Sequence, residues 1–154
     1  MNSKWIVWST CVSVLLFSLF FRLQVVQLDF GHATYYIDTK RFELHWIHSV
    51  EREEWAEIYR LDKGELILTE TYFKTFGAGV PSGAEVIASD DSFIHMKINQ
   101  RLSEMNLTVS ENVMTTIITD QSEIPLYKLT DDYETVNISV ASLHIWDYIG
   151  GEFL

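Results

Sequence analysis

Cysteine is nearly absent from this 154-residue chain, because the one cysteine, Cys11, lies in an apolar segment near the N-terminus. The region after residue 22 therefore has no disulfide, no thiol nucleophile and no thiolate metal site. Proline is also scarce, with two residues, whereas aromatic residues make up 14% of the chain. This composition argues against disorder and predicts a folded domain with its own core.

Positive charge is scarce as well. The chain has 11 basic and 22 acidic residues, a net charge of −11 at pH 7, and every acidic residue follows Arg22. Such a surface repels nucleic acid, so we predict no nucleic-acid partner. The charge suits a cationic ligand, a metal ion or a basic partner, although its simplest role is to keep an exposed domain soluble.

One apolar segment, Trp5–Phe21, has 17 residues without a charge, near the lower limit for crossing a bilayer. We predict a signal anchor, a transmembrane helix over residues 1–22, followed by an extracytoplasmic β-rich domain over residues 23–154. A cleaved signal peptide fits less well, because the residues from Phe20 to Leu23 are bulky and offer no cleavage site. The predicted location is the cell membrane, single-pass, with the domain on the extracytoplasmic side.

A period-two alternation of apolar and polar residues dominates the chain after residue 22. Phe42, Leu44 and Trp46 alternate with other side chains, and residues 62–64 predict a hairpin turn between strands over 55–62 and 65–76. Further strands are predicted over 23–30, 33–37, 85–88, 93–98, 113–119, 126–129 and 134–146. No helical stripe of ten residues follows residue 22, so we predict an all-β fold, an antiparallel sandwich or small barrel.

The segment from His45 to Glu51 contains the first candidate site. Two histidines and a glutamate are metal-ligand types, and His48 beside Ser49 suggests acyl transfer. Positions 45 and 48 of a strand point to opposite faces, however, so we predict no metal site. Ser49 also lacks the glycines of a nucleophile elbow. The alternative is a strand-end histidine that hydrogen-bonds a neighbouring loop.

Carboxylates form the second group of candidates. Glu51, Glu53, Glu54 and Glu57 follow one another on a turn and the next strand, where they could serve acid–base chemistry, gather a cation or simply be solvated. Glu70 lies in a strongly apolar strand, and burial there would displace its pKa and make it a site candidate.

A run of small residues over 77–83 is the most distinctive stretch. Gly77 and Gly79, with Pro81 after them, permit positive φ angles and a close approach of another backbone or a ligand. The run lacks the Lys-Ser/Thr ending of a phosphate loop. It is either a tight corner between sheets or part of a ligand site.

These features, taken in order, resemble the bacterial domain-of-unknown-function family 1850 over about residues 41–85. The residues that carry the resemblance are His48, Ser49, Val50, Glu51, Trp55, Glu57, Gly64, Glu65, Leu66, Glu70, Gly77, Ala78, Gly79 and Pro81.

The resemblance implies no established enzyme activity and no cofactor. Members of this family are associated with tripartite transporters of the TAXI type, in which a solute-binding protein serves an ion-driven permease. We therefore expect a membrane-anchored, non-enzymatic accessory whose partner is the permease or its solute-binding protein. The alternatives are a small-ligand or metal-binding module that uses His48, Glu51 and the glycine corner, and a hydrolase built on Ser49 or a carboxylate pair.

Overall fold

The computed structural model describes residues 3–77, 79–80, 85–89 and 93–154. Within these ranges the chain forms α1 (Ser3–Phe20), β1 (Arg22–Asp29), β2 (Thr34–Ile37), β3 (Arg41–Ile47), β4 (Glu54–Asp62), β5 (Glu65–Phe73), β6 (Glu85–Ser89), β7 (Ile94–Leu102), β8 (Glu104–Thr108), β9 (Thr116–Ile118), β10 (Glu123–Pro125), β11 (Thr135–His144) and α2 (Ile145–Gly150).

The strands form two sheets in which all hydrogen-bonded neighbours are antiparallel. One sheet has the order β2-β1-β11-β8, and the other has the order β10-β9-β3-β4-β5-β7-β6. Each sheet therefore has two edge strands, and in the described part of the chain neither closes on itself. The antiparallel all-β prediction is confirmed, and the barrel alternative is wrong.

Local sequence accounts for the central hairpin. In β3, Phe42 and Leu44 are buried while Arg41 is exposed, as the alternation predicts. The β4–β5 turn has positive φ at Lys63 (52°) and at Gly64 (83°), the geometry of a type I′ turn. This turn matches the right-handed twist of the strands that it joins.

Both sheets contribute to one hydrophobic core. Val26, Leu28 and Val136 come from the four-stranded sheet, and Phe42 and Leu66 come from the seven-stranded sheet; all five are fully buried. Two sheets packed through such inward-facing side chains are the arrangement of a sandwich.

Several local predictions differ from the structure. The strand predicted over 126–129 is wrong: a 3₁₀ turn, Leu126–Lys128, follows Pro125, whose ring fixes φ at −75°. Strand β8 was not predicted, because its five residues offer only two half-buried apolar side chains, Met105 and Leu107. The last strand ends at His144, and the short helix α2 follows.

Helix α1 agrees with the expected helix near the N-terminus. Its described side chains are exposed except for Ser18, which is half-buried. Among the described residues, no helix has both the length and the apolar character needed to cross a membrane. The prediction of a transmembrane helix over residues 1–22 is therefore not supported.

Candidate functional site

The turn between β3 and β4 folds back on itself at one end of the sandwich. The backbone N–H of His48 donates to the carbonyl of Glu53 at 2.8 Å, and the N–H of Arg52 donates to the carbonyl of His48 at 2.9 Å. Arg52 has a φ of 59°, in the left-handed region, which lets the chain reverse within a few residues. The turn thus holds His48 in a defined position at the end of β3.

His48 is paired with a side chain of the same turn. Its Nδ1 atom contacts a carboxylate oxygen of Glu51, and the two side chains are only 17% and 21% exposed. The imidazole also stacks on the indole of Trp55, with ring centroids 5.3 Å apart. His48 thus lies directly after β3, as the strand-end alternative has it, but the side chain that it contacts belongs to its own turn and not to a neighbouring loop.

Gly77 lies directly against Glu51. A Cβ atom at position 77 would be 2.8 Å from the carboxyl carbon of Glu51, closer than real Cβ contacts come. A side chain at position 77 would therefore have to displace the end of the Glu51 side chain, which lies 26 positions earlier in the chain. Gly79 has a different requirement, a φ of 85° with no atom near its missing side chain. Pro81 lies outside the described residues.

Trp55 is the centre of an aromatic stack behind this turn. Besides His48, its ring stacks on Trp46 at 5.7 Å and on Phe73 at 4.9 Å. Its Nε1–H donates to Oγ1 of Thr71 at 2.8 Å, and Thr71 is fully buried. The indole thus has its polar group satisfied in the interior, as buried tryptophan requires.

Glu57 is a carboxylate that faces between the sheets. It lies on β4 between Trp55 and Tyr59, two positions from each, so it shares their inward face. The hydroxyl of Tyr59 donates to its Oε2 atom at 2.5 Å. Burial raises the pKa of Glu57, and this hydrogen bond opposes the rise only in part. Burial, followed by the charge of Glu57, raises the pKa of Tyr59, so the phenol remains a neutral donor.

A cavity of about 380 Å³ opens beside Glu57, and we name it the end cavity. Its volume lies near the lower limit of small-molecule sites, which run from about 300 to 1,000 Å³. The structure brings three of the candidate residues together in its lining. The lining residues are Leu44, Trp46, His48, Ser49, Glu57, Asn106, Leu107, Thr108, Val113 and Thr115.

The acyl-transfer arrangement suggested by Ser49 does not form among the described residues. Ser49 is exposed at the rim of the end cavity, and within that part of the chain no base hydrogen-bonds its hydroxyl. His48, the nearest candidate in sequence, directs its Nδ1 atom to Glu51. A nucleophile needs a base within hydrogen-bond reach, so this geometry gives the hydrolase alternative no support.

The acidic residues of the turn have separate partners. Glu53 accepts a hydrogen bond from the Thr75 hydroxyl at 2.8 Å, and Glu54 lies 3.0 Å from the Lys74 ammonium. The described hydrogen bonds and ion pairs therefore show no paired carboxylates around Glu57.

His45 and Glu70 both lie on the outer face of the seven-stranded sheet, away from the end cavity. His45 contacts Glu43 at 3.1 Å. Within the described ranges, no group of three or more histidine, cysteine or acidic side chains is arranged to hold a metal ion. Glu70 accepts a hydrogen bond from Tyr72 at 2.8 Å, which lowers its pKa; a contact with His95, also at 2.8 Å, adds to the effect. Its side chain is 35% exposed, so the burial considered for it from the sequence is not observed.

Three residues of the site were not identified from the sequence: Trp46, Tyr59 and Thr71. Tyr59 could have been identified from the sequence, because residues two positions apart in a strand share a face and a tyrosine hydroxyl can donate a hydrogen bond to a glutamate there. Thr71 could not, since its bond to Trp55 depends on a β-bulge that shifts the register between Leu68 and Glu70.

Replacing Glu57 by glutamine gives an expected pH dependence. The folded state binds the Glu57 proton more tightly than the unfolded state does. The wild type therefore loses stability as the pH rises from the ordinary value of 4.5 through the raised value in the folded protein. Glutamine carries no charge and can still accept the bond from Tyr59. We expect Glu57→Gln to unfold at higher denaturant concentration than the wild type at pH 7, with the difference vanishing below pH 4.5.

The control for this measurement is Glu43→Gln on the outer face, for which we expect no such pH-dependent gain. A Glu57→Gln variant that is less stable than the wild type at pH 7 would contradict the burial of a carboxylate at this position.

A comparison with family models matches residues 42–126 to the model described as "Domain of unknown function (DUF1850)". The match begins in β3 and ends just after β10, so it includes the seven-stranded sheet, β8 and every described residue of the site. Searches of curated proteins and of solved structures each found no match. Because the match covers more than half of the chain, this protein belongs to the DUF1850 family.

Proposed function

We propose that this protein is a non-enzymatic accessory of a TAXI-type tripartite solute transporter and that it binds a small solute in the end cavity. The observation that carries the proposal is Glu57, a half-buried carboxylate beside a cavity that aliphatic and indole side chains line in part. Of the residues described, only Tyr59 donates a hydrogen bond to it.

The position of Glu57 is better explained by binding than by stability. A carboxylate taken out of water lowers the stability of the fold unless its partners compensate, and one phenol compensates only in part. Its neighbours on the inward face of β4, Trp55 and Tyr59, are buried in apolar surroundings. Ionisable groups that are kept in a cavity with a displaced pKa are typical of binding and catalytic sites.

The pairing around His48 has a supporting role in this proposal. The contacts of His48 with Glu51 and Trp55 restrain the imidazole, which is part of the lining of the end cavity. A wall that is fixed before the solute arrives reduces the entropy lost on binding.

We further propose that the protein works at the cell membrane, on the extracytoplasmic side, with the permease or its solute-binding protein as partner. The family resemblance supports this partner class. The exposed apolar side chains of α1 support it too, since surfaces of this kind associate with other apolar surfaces. Holding the domain close to its partner raises their effective concentration, so a modest direct contact suffices.

Co-purification from mildly solubilised membranes tests this proposal. We expect the full-length tagged protein to retain a TAXI-type permease or its solute-binding protein, identified by mass spectrometry. An unrelated tagged membrane protein, expressed at the same level, is the control. Recovery of neither partner, or equal recovery with the control, would contradict the accessory role.

A further inference from the structure

We infer that the end cavity binds a small organic cation, a protonated amine on an apolar body, with Glu57 as its counter-ion. The inference rests on the proposed function and adds to it the chemical class of the solute.

The charge of the cavity is the first argument. Its described lining contains no lysine or arginine, and its histidine, His48, is paired with Glu51. Glu57 is therefore the acidic group of this lining without a cationic partner among the described residues. An ammonium group would give its carboxylate a charge-assisted hydrogen bond, which is about twice as strong as a neutral one.

The walls are the second argument. Leu44, Leu107 and Val113 supply aliphatic surface, and the indole of Trp46 lines the same space. Aliphatic and indole surfaces suit the apolar body of a ligand, and an aromatic ring also attracts a nearby cation. A fully hydrated metal ion would leave these walls unused.

The field of the whole chain is the third argument. A net charge of −11 raises the concentration of cations near the surface and lowers that of anions. A carboxylate solute would have to enter against this field and then lie beside Glu57, with no basic residue of the described lining to receive it.

The binding of an amine depends on pH in a defined direction. In the part of the chain that the structure describes, the titratable groups beside Glu57 are its donor Tyr59 on β4, which stays neutral, and His48 after β3, which shares the cavity lining; the lining residues of β8 are neutral. Burial favours protonated Glu57, whereas the amine needs the ionised form. Amine affinity therefore falls as the pH is lowered from 7, whereas the affinity for a neutral analogue with the same body does not.

Three probes with one phenyl-ethyl body separate the ligand classes: phenethylamine, 2-phenylethanol and phenylacetate. Calorimetric titration of the full chain at pH 7 should show binding of the amine at least tenfold tighter than of the alcohol or the acid. Glu57→Gln should weaken amine binding more than tenfold, and Thr108→Trp, at the rim of the cavity, should abolish it. Glu43→Gln, on the outer face, should leave it unchanged.

Equal affinity of wild type and Glu57→Gln for phenethylamine, tighter binding of phenylacetate, or no binding of the amine would each overturn the inference. The proposed function fails separately, in the co-purification. Recovery of the permease or its solute-binding protein together with failure of the amine would leave the accessory role in place and reject the cationic solute.

Discussion

Replacing Trp55 by alanine should lower the free energy of unfolding by about 3–5 kcal/mol, the range typical of a buried tryptophan or phenylalanine reduced to alanine. Trp55 is 6% exposed and stacks on three rings, those of Trp46, His48 and Phe73. Its loss opens a cavity between these rings and leaves the buried Thr71 hydroxyl without its indole donor.

Equilibrium unfolding in urea measures this effect as a lower midpoint at an unchanged slope. Trp8→Ala is the matched control, because Trp8 is 70% exposed in α1 and its removal should change the stability by less than about 0.5 kcal/mol. Trp55→Phe should fall between the wild type and Trp55→Ala, since it keeps the stack and loses the bond to Thr71. Equal losses for Trp55→Ala and Trp8→Ala would show that the aromatic stack does not hold this end of the sandwich.

Replacing Gly77 by alanine should lower the stability by roughly 2 kcal/mol, through Glu51 rather than through the backbone. The new methyl group would occupy the place of the Glu51 carboxyl, which must leave and break its contact with His48. In a Glu51→Ala background this obstacle is gone, so the same substitution should then cost less than about 0.5 kcal/mol.

A double-mutant cycle measures this difference as a coupling energy between positions 51 and 77. Gly150→Ala is the control, because no atom lies within 4 Å of a Cβ at that position and its effect should be the same in both backgrounds. Equal destabilisation by Gly77→Ala in the Glu51→Ala protein and in the wild type would contradict this explanation. The glycine would then be needed for a reason other than its close approach to Glu51.

Strand periodicity was sufficient to predict much of the site. Alternation placed Phe42, Leu44, Trp46 and His48 on one face, and the structure has Phe42 and Leu44 in the core with His48 at the end of the same row. The same rule places His45 and His48 on opposite faces, and in the structure the two histidines contact different glutamates. These inferences need only the geometry of one strand, so a sequence is enough for them.

The contact between Glu51 and Gly77 could not be predicted in the same way. It joins the turn after β3 to the chain after β5, and it depends on how two hairpins pack. The sequence also did not show that Glu57 points inward. Strand alternation identifies the residues that share a face with Glu57, but it does not tell which of the two faces the second sheet covers. The direction of Glu70 was left open for the same reason, and the register places it on the outer face.

The structure gives the residues of the family pattern two different roles. One group of these residues packs together: His48 contacts Glu51 and Trp55, and Glu51 lies against Gly77. Packing explains why these residue types occur at these positions. Packing does not explain why residue 57 is a glutamate, because a carboxylate is not needed to fill the place between Trp55 and Tyr59. This contrast is the reason that we propose binding for the end cavity and a supporting role for the turn beside it.

Ligand-dependent stabilisation of the full-length protein tests the central claim, that the end cavity is a binding site, most directly. A solute that binds only the folded state raises the melting temperature in proportion to the logarithm of its excess over Kd. Across a panel of amines, amino acids, carboxylates and sugars at millimolar concentration, we predict that at least one amine raises the melting temperature of the wild type by several degrees and leaves that of Thr108→Trp unchanged. No shift with any compound, or equal shifts in the two proteins, would contradict the claim.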